Sequence, residues 1–211
     1  AFCPFCNKLL VFFILIDKNI VLVLVNSVLF KICIGKSASV SAINDVLGAR
    51  DYALNTLGLA PSKVGFWGES MGGATTLIAN THEDLGPIFV DAPFADIKLV
   101  MKDNSDRASV PPWTVEIISI AVQMLRNYNF TAASPIDGLA ERAEQAIFWV
   151  HGTADETVGI HHAEMARAAV ATHRQKQFLI ADGVSHVATM WDRPSEYRLS
   201  LVSFFDKHLK D

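Results

Sequence analysis

Val64-Gly65-Phe66-Trp67-Gly68-Glu69-Ser70-Met71-Gly72-Gly73-Ala74-Thr75 is the stretch on which the fold turns. Its first four residues form a short apolar run suited to a strand buried in a parallel sheet. From Met71 to Ala79 the pattern is that of a helix. Between the two stands G-x-S-x-G, Gly68 to Gly72, which puts a serine on a tight turn from strand to helix. The glycines answer a steric need: the serine sits on a strained turn, and side chains two positions to either side would strike the adjoining strand and helix. Gly73 adds close helix packing. Such a turn lifts the hydroxyl above the sheet and aims the first amides of the next helix at the same place. The amide of Met71 is therefore the expected donor to an oxyanion formed there.

Outward from this turn, strands and helices alternate. Upstream, Val46, Leu47, Leu54 and Leu57 recur at helical spacing from Ile43, with Asn44 and Asp45 near the start and Gly58 past the end. Leu59 to Ser62 turns the chain. Downstream, Ile88 to Asp91, Ile147 to His151 and Phe178 to Ile180 read as strands. His162 to Thr172 and Ser195 to Leu209 read as the last two helices, the second expected to bury Leu199, Val202, Phe205 and Leu209. This alternation predicts an α/β fold, a mostly parallel sheet with helices on both faces.

A serine hydroxyl is a poor nucleophile at neutral pH unless a base takes its proton during attack, and that base must be held in one tautomer and orientation. A carboxylate and a histidine are thus expected, each in a loop after a later strand. The strand at Ile147 runs into His151-Gly152-Thr153-Ala154-Asp155, and the strand at Phe178 leads to Asp182-Gly183-Val184-Ser185-His186. With Ser70 as nucleophile, His186 is the expected base and Asp155 its orienting acid; Glu156, Asp182 and Asp91 are rival acids. His82, His161, His162, His173 and His208 fall on expected helices or their ends, where a solvated surface histidine is the simpler account, and His151 reads as structural. No metal or organic cofactor is implied.

The 211 residues, 51% hydrophobic and 19% charged, suit one globular domain with a substantial core. A net charge of −4 with no basic stripe argues against a nucleic-acid partner. The composition changes sharply at Gly35, which divides an atypical apolar segment, residues 1–34, from a domain over 35–211. Within residues 9–34, Asp17, Lys18 and Asn19 interrupt the apolar run before it reaches the roughly 18 residues a spanning helix needs. Membrane contact through this segment is the alternative to a cytoplasmic location. Leu10 to Ile16 and Ile20 to Val25 are candidates to pair as strands. The 3 cysteines, Cys3, Cys6 and Cys33, make no disulfide framework and favour a reducing compartment. Cys3-Pro4-Phe5-Cys6 is similar to a glutaredoxin redox motif over four residues only. Residues 97–143 fit the alternation badly, with a polar run at Lys102 to Arg107, Pro111-Pro112 and a helix from Trp113 to Arg126 that is apolar nearly all round. Such a helix must be covered or face a ligand, and a lid-like helical insertion is the expectation.

Taken together, these segments resemble the α/β-hydrolase superfamily, particularly its serine aminopeptidase-like and acyl-esterase branch. The resemblance rests on Asn44 to Ala49, Gly68 to Thr75, Asp91-Ala92-Pro93-Phe94-Ala95-Asp96, and the two loops bearing Asp155 and His186. It implies a serine hydrolase for esters, with amides and peptides as further candidates, acting on a small acyl substrate through an acyl-serine intermediate. It also implies strands ahead of the serine turn and a His-Gly loop giving a second oxyanion donor. No His-Gly occurs among residues 1–34, so the fold is expected to be incomplete at its N-terminal side, with foreign sequence joined near Gly35. The alternative functional reading is a catalytically impaired or non-catalytic binding protein of the same fold.

Overall fold

A computed structural model of the chain describes residues 10–17, 20–26, 38–111, 113–126, 134–140, 142 and 144–209. Six strands form one sheet whose spatial order repeats the chain order: β1 (Leu10–Asp17), β2 (Ile20–Asn26), β3 (Val64–Glu69), β4 (Ile88–Asp91), β5 (Ile147–Gly152) and β6 (Lys176–Ala181). β1 and β2 pair antiparallel, Leu10 opposite Asn26. All later neighbours are parallel. The two apolar N-terminal runs thus do pair as strands, and β2 lies beside β3 with Val25 opposite Gly68. Cys3, Cys6 and Cys33 lie outside the described residues.

Helices cover both faces, as the alternation predicts. α1 (Ala38–Asp51) precedes β3 and continues as a π-helical turn over Tyr52–Thr56. It starts five residues before Ile43 because Ala38, Ser39, Val40 and Ser41 carry small side chains that leave no apolar period to read. α2 (Met71–His82) follows β3 directly, and nine of its 12 residues are buried, which places it against the middle of the sheet. α3 (Ile97–Arg107), α4 (Trp113–Arg126) and α5 (Pro135–Ala140) lie between β4 and β5. α6 (His161–Ala169), α7 (Thr189–Asp192) and α8 (Pro194–His208) complete the chain.

Period-two alternation along the strands divides the core. Val64, Phe66, Ile88, Val90, Ile147 and Trp149 face a layer containing Val46, Leu77, Leu139 and Ala166. Phe89, Phe148 and Val150 face the opposite way, against Tyr197, Phe204, Phe205 and Leu209 of the last helix and its end. There Phe89 stacks on Phe148 with ring centroids 4.7 Å apart and meets Tyr197 edge-on at 5.5 Å. The expected inner face of α8 needs correction: Phe205 and Leu209 are buried, but Leu199 is 69% and Val202 48% exposed. Tyr197 and Phe204 take the inner positions in place of Leu199 and Val202, because each removes more apolar surface from water than a Leu or Val would.

The region 97–143 divides in its packing. Leu139 of α5 is fully buried in the main core. The polar run from Lys102 is the second half of α3, and Asp96 caps that helix by accepting from the Leu99 amide at 2.8 Å. α4 turns Val115 inward and leaves Trp113, Ile117, Ile118, Ile120 and Met124 exposed. No helix among the described residues is long and apolar enough to cross a membrane.

Candidate active site

β3 ends at Glu69 and α2 starts at Met71, so Ser70 alone makes the turn, with φ 49° and ψ −121°. A positive φ at a non-glycine residue costs on the order of 1–3 kcal/mol and persists only where the surroundings enforce it. Here the enforcement is visible. The Ser70 amide donates to the Asp91 carbonyl at the end of β4, 2.8 Å away. A Cβ on Gly68 would meet Gly73 Cα at 2.6 Å and Gly72 C at 2.9 Å, all backbone that cannot yield. One on Gly73 would meet the Gly68 carbonyl oxygen at 2.9 Å and Pro93 Cβ at 3.2 Å. Strand and helix therefore approach as closely as glycine permits, and the serine is pushed out at the crest. As the first residue of α2, Met71 has an amide with no acceptor inside the helix.

The parallel arrangement then brings three loops to the same end of the sheet. His186, after β6, has its Nε2 2.9 Å from Ser70 Oγ and its Nδ1 2.7 Å from Asp155 Oδ2. Ser70 and His186 are 116 residues apart and Asp155 and His186 31. Because Nδ1 faces a carboxylate, it carries the proton and donates; Nε2 is left with a lone pair that accepts from the serine hydroxyl. Asp155 is 6% exposed. Its second oxygen, Oδ1, accepts from the amides of Thr157 at 2.9 Å and Val158 at 2.8 Å. That bonding fixes the carboxylate plane and satisfies a buried charge.

The rival acids stand elsewhere. Glu156 is exposed, and Asp182 accepts from the Thr153 hydroxyl at 3.0 Å. Asp91 is fully buried on the α8 side of the sheet. His151, also fully buried, donates from Nε2 to the Val158 carbonyl at 2.8 Å and accepts on Nδ1 from the Trp149 indole at 3.2 Å. Burial pushes its pKa down, so it is a neutral brace under the Asp155 loop.

Two histidines depart from the surface reading. His173 is 4% exposed and His162 fully buried. His162 accepts on Nδ1 from the Ala95 amide at 3.1 Å, and burial, with His161 beside it, pushes it down to about 4. Among the described residues, Asp103, His161 and His162 form the group with spacing for a metal ion. The Ala95 amide argues against it: with Nδ1 accepting, the His162 proton sits on Nε2, the nitrogen that would have to bind the ion. The trio is better described as a clasp, with His161 Nε2 2.8 Å and His162 Nε2 3.5 Å from Asp103 Oδ2, joining α3 to α6. A groove of about 650 Å³ lined by Asp84, Arg142, Glu144, Gln175 and Lys207 lies at the opposite end of the strands and holds none of these groups.

A model of the prolyl oligopeptidase family matches residues 32–211. The chain belongs to the prolyl oligopeptidase family. Among solved structures, this family member is similar to an esterase from Pyrococcus furiosus, at 16% identity and a TM-score of 0.56, over 80% of this chain and 62% of that one. It is also similar to a puromycin-hydrolysing peptidase of Mycobacterium tuberculosis, at 18% identity and a TM-score of 0.61, over 81% of this chain and 26% of that one. A third is the acylaminoacyl peptidase of Pyrococcus horikoshii, at 19% identity and a TM-score of 0.60, over 80% and 28% respectively. At these identities the likeness is one of fold, the α/β-hydrolase fold expected from the serine turn. The chain spans less than two thirds of the length of the Pyrococcus furiosus esterase. No curated protein matches it.

Sequence reasoning singled out Ser70, Met71, Asp155 and His186, and all four stand at one end of the sheet. It read His151 as structural without its partners, and it missed the surroundings of Asp91. Both depend on contacts between side chains distant in the chain, which no local spacing reveals.

Proposed function

We propose that this protein is a serine hydrolase that cleaves carboxylic esters, and amides or peptides by the same route, through an acyl-serine intermediate. The observation that carries the reading is the continuous line of hydrogen bonds from Ser70 Oγ through the His186 ring to Asp155, at 2.9 and 2.7 Å. Ser70 Oγ attacks the acyl carbonyl carbon while His186 Nε2 takes the hydroxyl proton. Asp155 stabilises the imidazolium so formed and stays ionised. The carbonyl oxygen becomes an oxyanion, which the Met71 amide stabilises; one such donor lowers the barrier by ~2.7–4 kcal/mol. His186 then passes its proton to the departing alcohol or amine. Water repeats the cycle on the acyl-serine, returning Ser70 and releasing the acid.

Membership of the prolyl oligopeptidase family and the likeness to an esterase and two peptidases support the substrate class. The test is labelling of the full chain with a fluorophosphonate probe, alongside turnover of a panel of acyl esters and aminoacyl amides. Labelling and turnover are expected for the wild-type chain and are expected to vanish in Ser70→Ala. A wild-type chain that neither labels nor turns over any member of the panel would leave the non-catalytic binding reading in its place.

A further inference from the structure

Directly beneath the serine turn lies an acid that the proposed mechanism does not use. Asp91 is the last residue of β4, opposite Glu69 of β3 in the parallel register, so both side chains leave the sheet on its α8 face. Its carbonyl holds the Ser70 amide at 2.8 Å. Its carboxyl group is fully buried, and among the described residues neither oxygen has a hydrogen-bond partner of ordinary geometry. A buried carboxyl left in that condition is costly to a fold, and its place behind the nucleophile makes it a functional candidate.

The groups that face it come from every element packed around it. Glu69 lies opposite it on β3, Tyr197 of α8 packs on the same face, and the charges of His186, bonded to Ser70 at 2.9 Å, and of Asp155 reach it through the serine turn. Tyr197 is 2% exposed, and its hydroxyl accepts from the Trp67 indole at 3.1 Å, which leaves the hydroxyl proton free to point toward the acid. Burial, reinforced by Asp91 and Glu69, drives the Tyr197 phenol far up, so it remains a donor. Burial pushes Asp91 up to about 7, the Glu69 charge adds to the rise, and Tyr197 and His186 pull against it. Burial raises Glu69 as well. His151, the other titratable group facing His186, is held neutral by burial and adds no charge of its own.

We propose that Asp91 is a positioning residue for the same site: a buried carboxyl, set against Glu69 and Tyr197, whose proton governs the electrostatic potential at His186 and so the pH range in which His186 can accept the Ser70 proton. This rests on the serine-hydrolase reading above. When Asp91 is protonated it is neutral, and His186 has Asp155 alone to stabilise its imidazolium form. When Asp91 is ionised, a second negative charge acts on the ring from beneath the serine turn, and the imidazolium created during attack is favoured. The site therefore gains basicity as the pH rises through neutrality.

The test is the pH profile of kcat/KM for a short p-nitrophenyl ester, measured from acid to alkaline pH on the full chain. In a hydrolase of this kind the acid limb of that profile reports protonation of the free enzyme's base. Asp91→Asn is expected to move the acid limb to lower pH by about half a unit to one unit, the scale of one partly screened charge at this range. Tyr197→Phe removes the contact that favours the ionised acid, so it moves the limb in the same direction by less. A folded Asp91→Asn chain whose limb coincides with wild type, or whose loss of rate is the same at every pH, overturns the proposal. If Asp91→Asn does not fold, a Tyr197→Phe profile superimposable on wild type overturns it equally. Failure of the underlying reading looks different: the wild-type chain is then not labelled by fluorophosphonate, and this proposal falls with it.

Discussion

Gly152→Ala probes the joint that holds the proposed base in place. Gly152 ends β5, and a Cβ there would lie 2.7 Å from the Val184 carbonyl carbon, 3.1 Å from the Ser185 carbonyl oxygen and nearer still to the Val184 oxygen. Carbon atoms in ordinary contact sit about 3.5–4.0 Å apart, so the segment Val184-Ser185 must retreat by roughly 1 Å. It has little freedom to do so, since the Val184 carbonyl also accepts from the Ala154 amide at 3.0 Å. His186 is the next residue. Its bonds to Ser70 and Asp155 are 2.9 and 2.7 Å, and a shift of that size takes at least one beyond bonding range. Misplacement of about 1 Å costs a reaction on the order of 10²-fold, and overpacking costs about 1–3 kcal/mol of stability. The assay is kcat/KM for p-nitrophenyl acetate together with thermal melting, with Gly48→Ala as control because a Cβ there meets nothing within 4 Å. A folded Gly152→Ala chain retaining more than about a third of wild-type kcat/KM would refute the reasoning.

The pH dependence of stability should reveal two opposed titrations. The unfolded chain binds more protons at His162 between pH 4 and 6.5, so stability from this group is lost as pH falls through that window. Asp91 is the reverse: the folded chain holds its proton up to about 7 against 3.8 when unfolded, so stability is lost as pH rises through that span. Each slope approaches about 1.4 kcal/mol per pH unit. The melting temperature of Asp91→Asn minus wild type is expected to increase from pH 4 to 7, and that of His162→Gln minus wild type to decrease from pH 4 to 6.5; pH-independent differences would contradict both. On α8, Leu199→Ser is expected to change stability by no more than about 0.5 kcal/mol, and Phe204→Ala to cost about 3–5 kcal/mol. Urea denaturation checks this, and the opposite ranking would mean that the helix is turned over.

The fold and the candidate site were unequally legible. Ser70, Asp155 and His186 each follow a short apolar run that reads as a strand, buried in β3 and β5 and half-buried in β6, so their convergence could be argued from the alternation of strands and helices. Helix boundaries were plain where a bulky apolar stripe marked them, as in Trp113 to Arg126, and hidden where small residues carried the helix, as at Ala38 to Ala42. The inner face of α8 was misread because apolar side chains occur on both its sides. Choosing between Leu199 and Phe204 requires knowing that Phe89 and Phe148 wait on the sheet. His162 escaped for a similar reason. Its Nδ1 is satisfied by a backbone amide 67 residues away, and a histidine at a helix start carries no local sign of such a partner.

Chain order and spatial order coincide in this sheet, which bears on its biosynthesis. Ser70 leaves the ribosome 116 residues ahead of His186, an interval of about 6–23 s at ordinary elongation rates of roughly 5–20 residues per second. Throughout that interval His186, the proposed base, has yet to be made. A nascent chain thus carries the proposed nucleophile well before the proposed base, and the proposed chemistry waits until the loop after β6 has been made and folded.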